Sequence, residues 1–167
     1  MSSVDRSLIY PLASGSVDSD EAAIVKVLTR YATGIDRCDW PLFRSCWTDS
    51  VDLDYGEVGH FTDPDALTKL FSQLHDPMGP TYHRLSNFVI AIDEDGDTAT
   101  ARTYVHAVLM LTPDDGANWV EAVGHYDDEL VRTDDGWRIH RRTTKTPRIT
   151  TGGAQAAVAA ETGIEHV

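Results

Sequence analysis

The sequence predicts an α+β domain: a curved antiparallel sheet wrapped around N-terminal helices. Three observations carry that prediction. Apolar residues recur at helical spacing up to about residue 75, long alternating runs rich in β-branched and aromatic residues follow Gly79-Pro80, and Asp/Gly turns join those runs in pairs. Helices first and consecutive strands afterwards build one sheet with helices on one face. A strongly bent sheet of this kind leaves a blind cavity at its open end, where a small molecule fits.

The 167 residues suffice for one domain with a core. Residues 1–18 read as an N-terminal arm, 19–148 as the domain and 149–167 as a tail. Ser19 is placed to cap a helix over Glu21–Arg37, with acidic residues in its first turn and Ile24, Val27, Leu28, Tyr31 and Ile35 as its apolar stripe. Asp39-Trp40-Pro41 restarts a short helix. Asp63-Pro64 opens a third, whose expected buried stripe is Leu67, Leu70, Phe71 and Leu74. A short strand is expected over Ser50–Tyr55, and long strands over Tyr82–Asp93, Thr98–Thr112, Trp119–Thr133 and Trp137–Thr146. The last two are joined by Asp134-Asp135-Gly136.

Composition bounds the function. The formal charge is −13, from 27 acidic and 14 basic residues, a field that repels nucleic acid and anionic membrane surfaces. No apolar run is long enough to span a bilayer, and the start of the chain has no signal-peptide pattern. Cys38 and Cys46 fit neither a disulfide framework nor a zinc spacing, so the expected setting is the cytoplasm. The histidines form no His-x-x-x-His pair, and the acidic turn after Asp93 lacks the closing glutamate of a calcium loop. Glycine-rich phosphate loops and nucleophile elbows are missing too. The expectation is therefore no metal and no cofactor, with any catalysis resting on side chains.

Asp36 falls at the edge of the first helix's apolar stripe, where a carboxylate needs a compensating partner. Asp39, Asp49, Asp52 and Asp54 are nearby alternatives. Strict alternation from His83 puts Leu85, Asn87, Val89 and Ala91 on its face. His106 shares a face with Arg102, Tyr104, Val108 and Met110, a mixed set read as pocket-facing. An imidazole oriented by a carboxylate is a base near neutral pH. Tyr31 and Tyr55 offer phenol donors, and Arg142, Lys145 or Arg148 a cationic clamp at the mouth.

Arg30-Tyr31-Ala32-Thr33-Gly34-Ile35-Asp36-Arg37-Cys38-Asp39-Trp40, Tyr82-His83 and Asp135-Gly136-Trp137-Arg138-Ile139 resemble the SnoaL-like branch of the nuclear-transport-factor-2-like superfamily, over roughly residues 18–148. The resemblance implies a cone-shaped, cystatin-like α+β barrel. Members include scytalone dehydratase, bile-acid 7α-dehydratase, hexachlorocyclohexane dehydrochlorinase and polyketide cyclases. In the eliminating members an Asp near the end of the first helix pairs with a His at the start of a long strand, and Asp36 and His83 match those positions. Tyr31 stands where the bile-acid enzyme has a tyrosine. Tyr55 and His106 match a tyrosine and second histidine of scytalone dehydratase, whose tyrosine directly before the Asp is here Ile35. Lys145 falls near the dehydrochlorinase's late arginine.

The resulting expectation is a cofactor-independent, dehydratase-like lyase acting on a small hydrophobic ring compound such as a steroid, terpenoid or polyketide. Asp36, His83, Tyr31, His106 and Tyr55 are its catalytic candidates, and Asn87, Tyr104 and Lys145 its substrate-binding candidates. An isomerase or polyketide-type cyclase uses the same proton abstraction. A non-catalytic ligand-binding module or oxygenase partner is the third reading, marked by a separated Asp36–His83 pair or a filled cavity. An uncovered convex sheet face predicts a homo-oligomer; the resemblance favours a trimer, with a dimer the alternative.

Overall fold

The computed structural model describes residues 19–111 and 118–153. The arm, the Asp114-Asp115-Gly116 turn and residues 154–167 of the tail lie outside the described residues. Helix α1 spans Asp20–Asp36, α2 Trp40–Arg44 and α3 Pro64–His75. The strands are β1 Trp47–Asp54, β2 His60–Phe61, β3 Thr81–Ile92, β4 Thr98–Met110, β5 Asn118–Thr133 and β6 Gly136–Gly153. They form one sheet in the order β2-β1-β6-β5-β4-β3, antiparallel except where β1 runs parallel to β6. The curved sheet and its N-terminal helices make the expected α+β architecture. Strand β6 runs to Gly153, well past the Thr146 read from the sequence, and so takes in the first residues of the stretch assigned to the tail.

Local chemistry accounts for the helices. The Ser19 hydroxyl accepts from the Ala22 N–H, and Ile24, Val27, Leu28, Tyr31 and Ile35 bury the predicted stripe of α1. Asp39 caps α2 through the Leu42 N–H. The two helices meet backbone to backbone at Gly34, where an added Cβ would stand 2.8 Å from the Phe43 nitrogen. That close approach holds the last turn of α1, and with it Asp36, against the sheet. In α3 the buried face is Leu67, Phe71 and His75, at i, i+4 and i+8. Leu74 is exposed and Leu70 only half-buried, so the expected stripe is rotated and a histidine occupies its last position.

Strand β3 departs from strict alternation. The β3–β4 register shifts between Ser86 and Val89, and Asn87 sits there in a left-handed conformation with φ 51°. This bulge reverses the inward parity. Thr81, His83 and Leu85 face in before it; Phe88, Ile90 and Ile92 pack on the core after it. Further register shifts in β5–β6 and near Trp47 bend the other strands. The core lies between α1 and the concave face, ringed by Tyr31, Phe43, Trp47, Leu53, Leu130 and Ile139.

Candidate active site

Asp36 ends α1, where the helix dipole disfavours a carboxylate, and β3 supplies the compensation. Asp36 Oδ1 is 2.7 Å from His83 Nδ1 and accepts from the Thr81 hydroxyl at 2.9 Å. Its Oδ2 accepts from the His83 backbone N–H at 2.8 Å. Burial alone raises the Asp36 carboxyl, but the hydrogen bonds from the His83 ring and backbone, the charge of that ring and the Thr81 hydroxyl outweigh it. The carboxyl is held below its ordinary value of 3.8. An ionised carboxylate only accepts, so the neutral imidazole carries its proton on Nδ1 and keeps a lone pair on Nε2.

His83 lines a cavity of about 230 Å³ that opens between α3 and the concave sheet, with a mainly apolar wall including Phe71, Met78, Val105, Ala107 and Leu109. A separate polar notch of about 230 Å³, lined by Thr29, Thr33 and Asp36, reaches the same imidazole from the side of α1. Tyr31 and Tyr55 also line the apolar cavity, and the Tyr55 O–H donates to the Tyr31 hydroxyl at 3.2 Å. Burial raises both phenols well above their ordinary value, so both stay protonated donors at neutral pH.

Beneath the tyrosines lies a fully buried ion pair. Arg142 Nε and Nη2 donate to the two Asp128 carboxylate oxygens at 2.6 and 2.8 Å. The guanidinium carbon sits 4.1 Å from the Tyr31 ring centroid and 4.0 Å from that of Tyr126. Burial works against its charge, but the facing Asp128 carboxylate more than restores it. Of the three cations considered from the sequence, Arg142 is thus the one that faces the interior, behind the phenols instead of at the mouth.

Four expected site residues lie elsewhere. Pairing decides the faces of β4: His83 stands opposite Ala107, whereas Arg84 stands opposite His106 and Ser86 opposite Tyr104. Paired residues share a face, so His106 and Tyr104 are on the convex side, where His106 Nε2 meets Glu121 at 2.5 Å. Asn87 is exposed at the bulge. Lys145 is exposed, at an outer groove with Glu57 and His125, while its neighbours Thr144 and Thr146 turn to the cavity. The alternative aspartates have other partners: Asp39 is a cap, Asp49 pairs with Arg44, Asp52 with His60 and Arg141, and Asp54 accepts from the Gly56 N–H.

One buried histidine was not singled out from the sequence. His75 lines the same cavity, with Nδ1 2.8 Å from the Phe71 carbonyl oxygen and Nε2 without a partner among the described residues. Its signal was present in the i, i+4, i+8 series Leu67, Phe71, His75.

A curved sheet around helices, with an Asp–His pair at the wall of a small apolar cavity, defines a cone-shaped α+β fold with a pocket on its concave side. Residues 18–143 match the family model described as SnoaL-like domain, and the chain belongs to that family. An uncharacterized protein of Mycobacterium tuberculosis strain H37Rv is 32% identical over 143 residues, covering 83% of this chain and 90% of its own. The crystal structure of a Kribbella flavida protein is 27% identical, with a TM-score of 0.72 over 81% of this chain and 95% of that one. Hexachlorocyclohexane dehydrochlorinase LinA-type3 from Novosphingobium barchaimii shares the fold at 18% identity, with a TM-score of 0.68 over 87% of this chain and 92% of its own. Among the described residues, no helix is long and apolar enough to cross a membrane, and no cluster of His, Cys, Asp and Glu is arranged to hold a metal ion.

Proposed function

We propose that this protein is a cofactor-independent lyase that performs a dehydratase-like elimination on a small hydrophobic ring compound. The single observation that carries this reading is the 2.7 Å Asp36–His83 contact at the wall of an apolar cavity. His83 Nε2 takes a proton from a carbon next to a carbonyl, and the Asp36 carboxylate stabilises the imidazolium. The electron pair of the broken C–H bond forms the double bond as the bond to the leaving oxygen or halogen breaks. The imidazolium then gives its proton to a departing hydroxide, releasing water, or loses it to solvent when halide leaves. Tyr31, held as a phenol, donates a hydrogen bond to the developing negative charge and keeps its proton, while Tyr55 donates to the Tyr31 hydroxyl and strengthens it as a donor. Arg142 acts from behind them, its positive charge strengthening both donors.

The cavity is below the roughly 300–1,000 Å³ that encloses a drug-sized ligand. One or two rings therefore fit inside, and a larger substrate extends a substituent into the outer groove. The relation to a dehydrochlorinase fold supports elimination. An isomerase uses the same dyad without a leaving group, and product analysis separates the two. Exposed Tyr82, Val89, Tyr104 and Val123 on the convex face support a homo-oligomer, trimer before dimer, to be tested by light scattering. The unbridged Cys38 and Cys46 support the cytoplasm as its setting.

The test is a panel of β-hydroxy and β-halo cyclic ketones in deuterated buffer, followed by NMR. The wild-type chain is expected to accelerate α-proton exchange and elimination, and His83→Ala and Asp36→Asn to lose ~10²–10⁴-fold of that rate. Equal rates for the wild type and His83→Ala across the panel overturn the lyase and isomerase readings and leave a binding module.

A further inference from the structure

We propose that His75 is a specificity-determining residue of the apolar cavity, admitting neutral ring compounds that carry a hydroxyl. The proposal rests on reading this cavity as the ligand site, and not on proton transfer at His83.

The argument begins with the tautomer. His75 closes α3, with its ring between Phe71 and Trp40 at centroid distances of 6.1 and 5.8 Å. A backbone carbonyl can only accept, so the 2.8 Å contact between Nδ1 and the Phe71 oxygen requires the proton on Nδ1. Nε2 is therefore a bare acceptor. Burial lowers the His75 pKa, assisted by nearby His83 and opposed by the Phe71 bond and Asp36, so the ring is neutral near pH 7. That acceptor is buried, and among the described residues no donor reaches it. Buried acceptors almost always have partners, and one left alone is destabilising.

A second orphan lines the same cavity: Thr144, on β6, whose hydroxyl oxygen is likewise buried without a partner among the described residues. Most of the remaining wall is apolar, with Met78, Leu109 and Ala122 among its residues. A hydrocarbon ligand leaves both orphans unsatisfied. An anionic one loses its hydration and gains no exposed cation, because Arg142 is sealed beneath the tyrosines. A ring hydroxyl donates to His75 Nε2, and that hydroxyl oxygen or a second one accepts from Thr144. Because Nε2 is shielded, its engagement takes a rotamer change in a neighbouring side chain, for which Met78, unbranched and three residues on, is suited. The hydroxyl so recognised is distinct from any group that leaves at His83.

The probes are β-naphthol and its methyl ether, which keeps the oxygen but lacks the donor. Calorimetric titration of the full-length wild type is expected to show the naphthol binding at least ~10-fold tighter, equivalent to about 1.4 kcal/mol. His75→Phe is expected to bring the two ligands to near-equal affinity, and Asp49→Asn, at an exposed pair, to keep the wild-type preference. In the wild type, the ¹⁵N resonance of His75 Nε2 should move toward its hydrogen-bonded value with naphthol and stay put with the ether, a reading independent of whether the variant folds. An unchanged preference in His75→Phe, no preference in the wild type, or no shift on naphthol binding overturns the proposal. Failure of the wild type to bind either probe overturns it together with the cavity reading, whereas a preserved preference without proton exchange at His83 overturns the elimination chemistry alone.

Discussion

Asp36 grips His83 through both the imidazole and the backbone of the same residue: Oδ1 meets Nδ1 at 2.7 Å and Oδ2 the backbone N–H at 2.8 Å. The ring's tautomer and the start of β3 are therefore fixed by one carboxylate. In Asp36→Asn one amide edge must present N–H to a donor. Expected destabilisation is ~1–3 kcal/mol by urea denaturation with an unchanged m value, whereas Asp49→Asn, at an exposed pair, stays within about 0.5 kcal/mol.

Acid should erase that difference. The folded-state pKa of Asp36 lies below 3.8, so its contribution is fully present above that value and is lost as pH falls through the lower folded value. The gap in unfolding free energy between the wild type and Asp36→Asn is expected to hold from pH 7 to about 5 and to shrink below about 4. A gap that stays constant down to pH 2 contradicts this assignment.

His75 carries the opposite kind of ionisation. Its folded-state pKa lies below the ordinary 6.5, so the unfolded chain binds the proton more readily, and stability declines as pH falls from 6.5 toward the folded value. Thermal unfolding of His75→Phe should be flatter than that of the wild type across this window. Parallel curves would show that His75 makes no such contribution.

The buried pair should respond to single and double replacement in different ways. Arg142→Met leaves Asp128 charged and unpaired in the interior, and an expected loss of ~3–5 kcal/mol follows. Adding Asp128→Leu removes the stranded charge and should recover most of that loss. Equilibrium unfolding of the four proteins of this cycle measures the coupling; additive losses would argue against it.

Asn87 tests the correction to the expected site. Its left-handed backbone suits Asn or Gly, so Asn87→Gly is expected to be near neutral and Asn87→Val to cost ~1–2 kcal/mol. Being exposed away from the cavity, it should leave naphthol affinity unchanged in either variant. A large change in affinity from Asn87→Gly would return this residue to the site.

Gly34 tests the close approach of α1 and α2. A methyl group in Gly34→Ala must displace the Phe43 backbone, with an expected loss of ~1–3 kcal/mol. The same shift moves Asp36, so the ring resonances of His83 should change as well.

The residues that form elements were legible because spacing and turn residues agree: Ser19 caps α1 where expected, and Asp39 and Asp63, read as opening the next two helices, cap them. Asp36 and His83 were legible from a carboxylate at a stripe's edge and from the family resemblance. The faces of the strands were harder. A period of two carries no mark of an inserted residue, so the Asn87 bulge turned the second half of β3 over unseen. In β4 the mixed polar and aromatic set was read as a pocket, yet the concave side carries Ala99, Ala101, Thr103, Val105 and Ala107, residues small enough to lie under helices and around a cavity. There the informative signal was side-chain size, not polarity. Arg142 and Lys145 differ only in parity along a strand whose register also shifts, so pairing had to choose between them.

The bulge in β3 divides the strand into two stretches that answer to different demands. From Thr81 to Leu85 the inward positions hold the Asp36 carboxylate and line the notch beside it, and from Phe88 to Ile92 they pack on the core. Substitutions can accumulate in the first stretch without disturbing the second. Loss of the single residue Asn87 would remove the bulge itself: Phe88 would then follow Ser86 in plain alternation, and Phe88, Ile90 and Ile92 would still face in. A one-codon deletion here would straighten the strand without turning over its second half, so the bulge changes the path of β3 and not the set of residues its far half buries.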